Sequence, residues 1–265
     1  MIPFIGAGMS AAVKVAGDPM RMPQWSELLL GLAEGRQIED NVTNLITKGD
    51  FEAAASLVDE DRPGVLPKSV RDAFDREVLS EYLAVGALSY LPFLAEGPVI
   101  TTNYDRVLEQ VFDAAGCKFE SLIFGPRPDE TVEAIHADRH VLVKMHGDCR
   151  DRTDQILTAE SYQAAYGDAS ATAGHQGRLG GLAWLLFTNR PLLFLGCSLE
   201  HDRTVGVLRA IRERLPGISH FAVLAAEKSL HEWAGEAALG RDRYPRGLVL
   251  SRLLRGDRSP STRGT

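Results

Sequence analysis

With 265 residues, 45% of them hydrophobic and 25% charged, the chain is long enough to bury one large α/β core, alone or with one inserted lobe. A formal net charge of −7 excludes broad, nonspecific nucleic-acid binding over the whole surface. Three cysteines, Cys117, Cys149 and Cys197, with no Cys-x-x-Cys pair, fit a reducing compartment without disulfides and exclude a four-thiolate zinc ribbon.

The charge is uneven. Residues 241–265 hold seven Arg and two Asp, a local +5 that leaves −12 on the remainder; such a basic end is either a solvated tail or an interaction arm. No basic stretch precedes an apolar run at the start, so no secretory signal is expected. The longest apolar region, Leu182 to Gly196, is broken by Asn189-Arg190-Pro191 and cannot cross a bilayer as one helix. The expected location is the cytoplasm, with no membrane partner.

Ile2 to Ile5 reads as the first strand, either continued upstream or short and close to the surface. Gly6-Ala7-Gly8-Met9-Ser10-Ala11 follows as a G-x-G-x-x-A pattern. Its small residues would let the N–H groups of Gly6, Ala7, Gly8 and Ser10 approach a phosphate at a helix start; a plain tight turn would use the same residues. Residues 17–23 read as a loop, and Trp25, Leu28, Leu29 and Leu32 have helical spacing. Further helical patterns fill 36–96 with a break at Asp61-Arg62-Pro63-Gly64, so 24–96 reads as a helical insertion between the first two strands.

From residue 98 strands and helices alternate. Strands are expected at 99–101, 119–124, 140–145, 155–158, 191–196 and 220–226. Helices are expected at 104–115, 160–166, 179–187, 202–214, 227–239 and 248–254, with 256–265 disordered. The run at 191–196 is almost wholly apolar, as in a parallel sheet covered on both faces. The alternation predicts an α/β fold, a Rossmann-like doubly wound parallel sheet with a helical insertion.

Small polar residues follow three of these strands directly, and ligand sites of open parallel sheets gather at such carboxyl ends. The Asn103 amide can bind a hydroxyl and a water together, or can cap a helix beginning at Tyr104. Asp105 can support Asn103 or a ligand amide, or act as a first-turn helix acid. His146 suits a general base, since imidazole exchanges a proton near neutral pH; a structural histidine is the alternative. The other histidines have no metal-ligand spacing, and no metal is expected.

Six stretches in order carry a resemblance to a known family. They are Gly6-Ala7-Gly8-Met9-Ser10, Pro23-Gln24-Trp25-Ser26-Glu27-Leu28-Leu29, Thr101-Thr102-Asn103-Tyr104-Asp105-Arg106-Val107-Leu108-Glu109, Lys144-Met145-His146-Gly147-Asp148, Leu157-Thr158-Ala159-Glu160-Ser161-Tyr162, and Leu195-Gly196-Cys197-Ser198-Leu199-Glu200-His201-Asp202. Together they resemble the sirtuin superfamily, and more closely its prokaryotic sirtuin-like NAD-hydrolase branch. The chain departs from deacylating sirtuins in lacking their four-cysteine zinc module. It also has Pro23-Gln24-Trp25-Ser26 where they carry Pro-Asp-Phe-Arg. The resemblance implies a sirtuin-like NAD-binding domain over 1–255, with Asn103 and His146 catalytic. It makes Gly6, Ala7, Gly8, Ser10, Thr102, Asp105, Gly196 and Ser198 the NAD contacts; Asp202 either joins them or caps a helix.

The implied reaction is cleavage of NAD to ADP-ribose and nicotinamide by an anti-phage defence effector. Such effectors are held inactive until a partner protein, a nucleic-acid-sensing subunit on a separate chain, or homo- or hetero-oligomeric assembly switches them on. The short lead-in before Phe4 fits one piece of a larger system. An NAD-dependent protein deacylase or ADP-ribosyl transferase is the enzymatic alternative. A non-catalytic NAD or ADP-ribose module is the other, although a pure binder would need neither Asn103 nor His146.

Overall fold

Each strand is a run of three to six residues that sends alternate side chains to opposite faces of one sheet. The computed structural model describes all residues except 18, 85, 168–176, 200–202, 204–205, 209–210, 212–218, 226–240, 244–247 and 254–265; at 224–225, 241–243 and 248–253 it describes backbone alone. The elements run β1 (Ile2–Ile5), α1 (Ala7–Ser10), α2 (Trp25–Ala33), α3 (Glu39–Thr47), α4 (Phe51–Asp61), α5 (Val65–Phe74), α6 (Ser80–Leu83), α7 (Leu91–Leu94) and β2 (Val99–Thr101). They continue α8 (Val107–Ala114), β3 (Ser121–Phe124), α9 (Pro128–His136), β4 (Val141–Lys144), α10 (Ala159–Tyr166), α11 (Arg178–Asn189), β5 (Leu192–Leu195), β6 (His220–Ala225), β7 (Arg241–Arg243) and β8 (Leu248–Leu253).

The sheet order is β3-β4-β2-β1-β5-β6-β8-β7. The first six strands are parallel, while β8 pairs antiparallel with β6 and with β7. The fold is therefore the expected Rossmann-like α/β sheet. Its faces follow the period-two alternation. Ile5, Val99 and Leu142 pack under the insertion helices α2–α5 and α8. Ile2, Phe4, Ile100, Val141 and Val143 pack on α9, α10 and α11. Burial on both sides is what allows such short strands to hold.

β1 is central and all four of its residues are buried, so the near-surface reading of this strand does not hold. Its proline is tolerated for a positional reason. Ile2 N–H donates to Pro191 and Gly6 N–H to Leu195, so even-numbered amides face β5. The amide that Pro3 lacks would face β2, whose pairing starts only at Phe4.

Four other expectations are corrected. Residues 248–253 form strand β8 rather than a helix. Six apolar-rich residues are too few for periodicity to tell the two apart. No strand forms at 155–158, where the Leu157 and Thr158 amides bond the Ser161 hydroxyl at the start of α10. The helix expected from Tyr104 begins at Val107. Helix α9 was not expected, although Pro128 at its first turn and Asp129 and Glu130 beside it are ordinary start signals. Of the helix expected at 202–214, Arg203, 206–208 and Ile211 are helical. Asp202, the helix at 227–239 and the tail at 256–265 lie outside the described residues.

His220 opens β6, fully buried between the rings of Phe187 and Phe194, with Nδ1 accepting from Leu192 N–H at 3.2 Å. Burial pulls its pKa down to about 4. The unfolded chain takes up this proton below ~6.5 and the folded chain only near 4, so the stabilisation is whole above the first value and fades as pH falls towards the second. Urea unfolding at pH 7 and pH 5 should show a loss of about 2 kcal/mol from this group. His220→Leu should remove that part of the slope; equal slopes in parent and variant would contradict the assignment.

Candidate functional site

The carboxyl ends of β1, β2, β4 and β5 open into a cleft of about 830 Å³. This is the place where strand order reverses about β1, the usual ligand position in open parallel sheets. Gly6, Ala7, Gly8, Ser10, Thr102, Asn103, Asp105, His146, Gly196 and Ser198 all line it. The insertion adds Trp25, Asp50, Phe51 and Glu52 to the lining, and the loop before it adds Met22 and Pro23.

The glycines make a contact rather than an open cradle. Gly6 N–H donates to Leu195 C=O and Gly8 N–H to Gly196 C=O, each at 2.9 Å. A Cβ on Gly6 would lie 2.6 Å from the Gly196 oxygen, and one on Gly8 would lie 2.8 Å from it. Gly196 has φ +66°, and a Cβ there would meet Met9 N at 2.5 Å. Two of the four amides expected to face a phosphate are thus committed to the β5 turn. Small residues at these positions serve the close approach of two backbones.

Asn103 does not cap a helix. It is buried four residues before α8, and its Nδ2 donates to Ser10 Oγ at 3.1 Å. Its backbone N–H donates to Thr101 Oγ1 at 3.0 Å, while that hydroxyl donates to Ile5 C=O at 2.8 Å. Asp105 is the residue that holds the helix start, accepting from Val107 N–H at 3.0 Å. Ser10 also hydrogen-bonds the Asp105 carboxyl, so an Asn103–Ser10–Asp105 chain joins the first and second strand ends.

Beneath this chain lies Lys144, fully buried at the end of β4. Its ammonium donates to the carbonyls of Tyr104 at 3.2 Å and Asp105 at 2.6 Å, and to the carboxylates of Glu109 at 3.1 Å and Asp148. Burial pushes the Asp105 and Glu109 carboxyls above the usual range, with Lys144 pulling against it. For Lys144 burial opposes the charge, but Glu109, Asp148 and Asp105 outweigh it and its pKa is raised.

His146 is 4% exposed, and both ring nitrogens meet tyrosine hydroxyls. Nε2 lies 2.7 Å from Tyr166 Oη and Nδ1 lies 3.2 Å from Tyr162 Oη. Arg203 also lines the cleft, and is its only Lys or Arg among the described residues. It forms a two-pronged pair with Glu52 of α4 at 2.7 and 2.6 Å. Sequence reasoning assigned no role to Lys144, Tyr162, Tyr166, Arg203 or Glu52. The signal for Lys144 was a cation inside an otherwise apolar strand; for the tyrosines it was their four-residue spacing on one helix face. Burial pushes the Cys149 thiol up to about 12, which leaves it unreactive. Among the described residues no cluster of three or more His, Cys, Asp or Glu is placed to hold a metal ion, and no helix is long and apolar enough to cross a membrane.

Lys144→Met should leave Glu109 and Asp148 buried without their cation. Breaking a buried pair in this way costs about 3–5 kcal/mol, to be read from urea unfolding. A loss below about 1 kcal/mol would mean that Lys144 carries little of the site's stability.

No curated protein matches this chain. Residues 98–239 match the SIR2-like domain, a family whose enzymes depend on NAD. That match takes in β2 to β6 and with them Asn103, Asp105, Lys144, His146 and Gly196. It covers 142 of the 265 residues, and the chain belongs to the SIR2-like domain family.

Proposed function

We propose that this protein is an NAD hydrolase that releases nicotinamide and ADP-ribose, acting as an anti-phage defence effector that depletes NAD once switched on. The observation that carries the reading is that Asn103 and His146 line one cleft together with the glycine turn of β1 and the Gly196–Ser198 turn of β5. Three cysteines on separate loops also cannot supply the four thiolates of a deacylase zinc module.

Breaking the bond between ribose and nicotinamide builds positive charge on the sugar, as in glycoside hydrolysis. With Nδ2 held by Ser10, Asn103 keeps its amide oxygen for a ribose hydroxyl or a water. His146 takes the proton of the attacking water, so the water oxygen joins the ribose carbon as nicotinamide leaves. Arg203 provides the cleft's cation for the pyrophosphate, and Ala7, Ser10, Thr102 and Ser198 provide polar and backbone contacts around it. An enzyme that destroys NAD needs restraint, so activation falls to a partner protein, a nucleic-acid-sensing subunit or assembly with other copies.

Purified chain should turn over NAD slowly when dilute and rapidly once assembled or given its partner, with nicotinamide and ADP-ribose formed in equal amounts. Asn103→Ala and His146→Ala should each lower the activated rate by ~10²–10⁴ while staying folded. Intact NAD under every condition, ADP-ribose delivered onto protein, or variants at the parent rate would each overturn the reading.

A further inference from the structure

We propose that His146 exchanges its proton with the cleft through the hydroxyl of Tyr162, and that Tyr166 holds the imidazole in the tautomer this requires. The proposal rests on the reading of His146 as the base. Tyr162 and Tyr166 stand one turn apart on α10, with ring planes 12° apart and centroids 6.1 Å apart. The His146 ring meets both edge-on, at 5.1 and 5.8 Å. The helix carrying them is pinned at its start. Ser161 Oγ accepts from the Leu157 and Thr158 amides, and Ala159 N–H donates to Ser56 of α4 at 2.9 Å. Ile156 N–H donates to the His146 carbonyl at 3.1 Å, tying the same segment to the histidine itself.

A neutral imidazole has one donor nitrogen and one acceptor, so only one of the two tyrosines can donate into it. Tyr166 is 2% exposed, whereas Tyr162 is half-buried and lines the cleft. The relay requires the N–H on Nε2, donating to Tyr166 across 2.7 Å, and the lone pair on Nδ1, accepting from Tyr162 across 3.2 Å. In the reaction a water O–H breaks and its proton passes to Tyr162 Oη. The phenolic proton passes in the same step to Nδ1, leaving imidazolium. The water oxygen bonds to the ribose carbon as the bond to nicotinamide breaks. Imidazolium returns its proton to solvent by the same route, so the sum is NAD and water giving ADP-ribose, nicotinamide and a proton. Tyr162 is then a catalytic residue and Tyr166 a positioning residue.

Two measurements on the full chain test this. Imidazole ¹⁵N spectra, assigned with His146→Ala, should show neutral His146 as the Nε2–H tautomer, and Tyr166→Phe should shift it towards Nδ1–H. An Nδ1–H tautomer in the parent would overturn the relay, and this reading needs no turnover. In the activated protein, Tyr162→Phe should lower kcat by ~10² or more, with KM for NAD and the melting temperature close to the parent's. Tyr162→Phe at the parent kcat, beside an inactive His146→Ala, would overturn the relay and leave the hydrolase standing. A parent that never releases nicotinamide would overturn the hydrolase reading alone, with the tautomer still deciding the arrangement.

Discussion

The site depends on one buried ammonium. Lys144 ends β4, one strand in from the sheet edge, with no exposure to water, a placement that costs several kcal/mol unless every proton of the ammonium is used. Its partners are two loop carbonyls, at Tyr104 and Asp105, and two carboxylates, at Glu109 and Asp148. These come from the segment after β2 and the segment after β4. Satisfying the charge therefore fixes the backbone just after Asn103 and on both sides of His146. Burial raises the Asp105 and Glu109 carboxyls, Lys144 pulls against it, and the neighbouring carboxylates add a smaller push in the same direction as burial.

A second constraint acts at the other end of the cleft. The β1 and β5 turns touch backbone to backbone, through the Gly6 and Gly8 amides and the Leu195 and Gly196 carbonyls. Any side chain at Gly6, Gly8 or Gly196 would collide with the opposing turn. The glycine pattern thus ties the two turns together, at the expense of two N–H groups that an anion would otherwise meet. Among the described residues the cleft's one Lys or Arg is Arg203, held by Glu52 across 151 residues of sequence.

The legible part of this molecule was local. An apolar run ending in small polar residues marks a parallel strand and its carboxyl end, and together with the sirtuin resemblance this picked out ten candidate residues that the structure brings to one cleft. What stayed hidden depended on distant partners. A lysine at 144 looks like a strand terminus until the carbonyls of 104 and 105 are seen to close on it. Tyr162 and Tyr166 look like an ordinary apolar face of α10 until His146 comes between them. The Arg203–Glu52 pair joins the insertion to the last third of the chain, and nothing in either neighbourhood points to the other. The helix start expected at Tyr104, with Asn103 as its possible cap, misled in a different way. The residue type of Asn103 suits an N-cap, but Asp105 holds the α8 start two residues later, because the Lys144 bonds keep the 104–105 backbone out of the helix.

The distribution of buried polarity argues that this region was shaped for chemistry. Among the described residues the buried polar or charged side chains are Ser10, Thr101, Asn103, Asp105, Thr131, Lys144, His146, Asp148 and His220. All but Thr131 and His220 sit at the carboxyl ends of β1, β2 and β4. Apolar residues of similar volume would pack these positions at equal or better stability, since a buried ionic cluster seldom repays its desolvation. A fold selected for stability alone would scatter or avoid such groups. Concentrating seven of them at these strand ends, with Ser10, Asn103, Asp105 and His146 on the cleft itself, trades stability for a rigid set of donors and acceptors held in place before any ligand arrives.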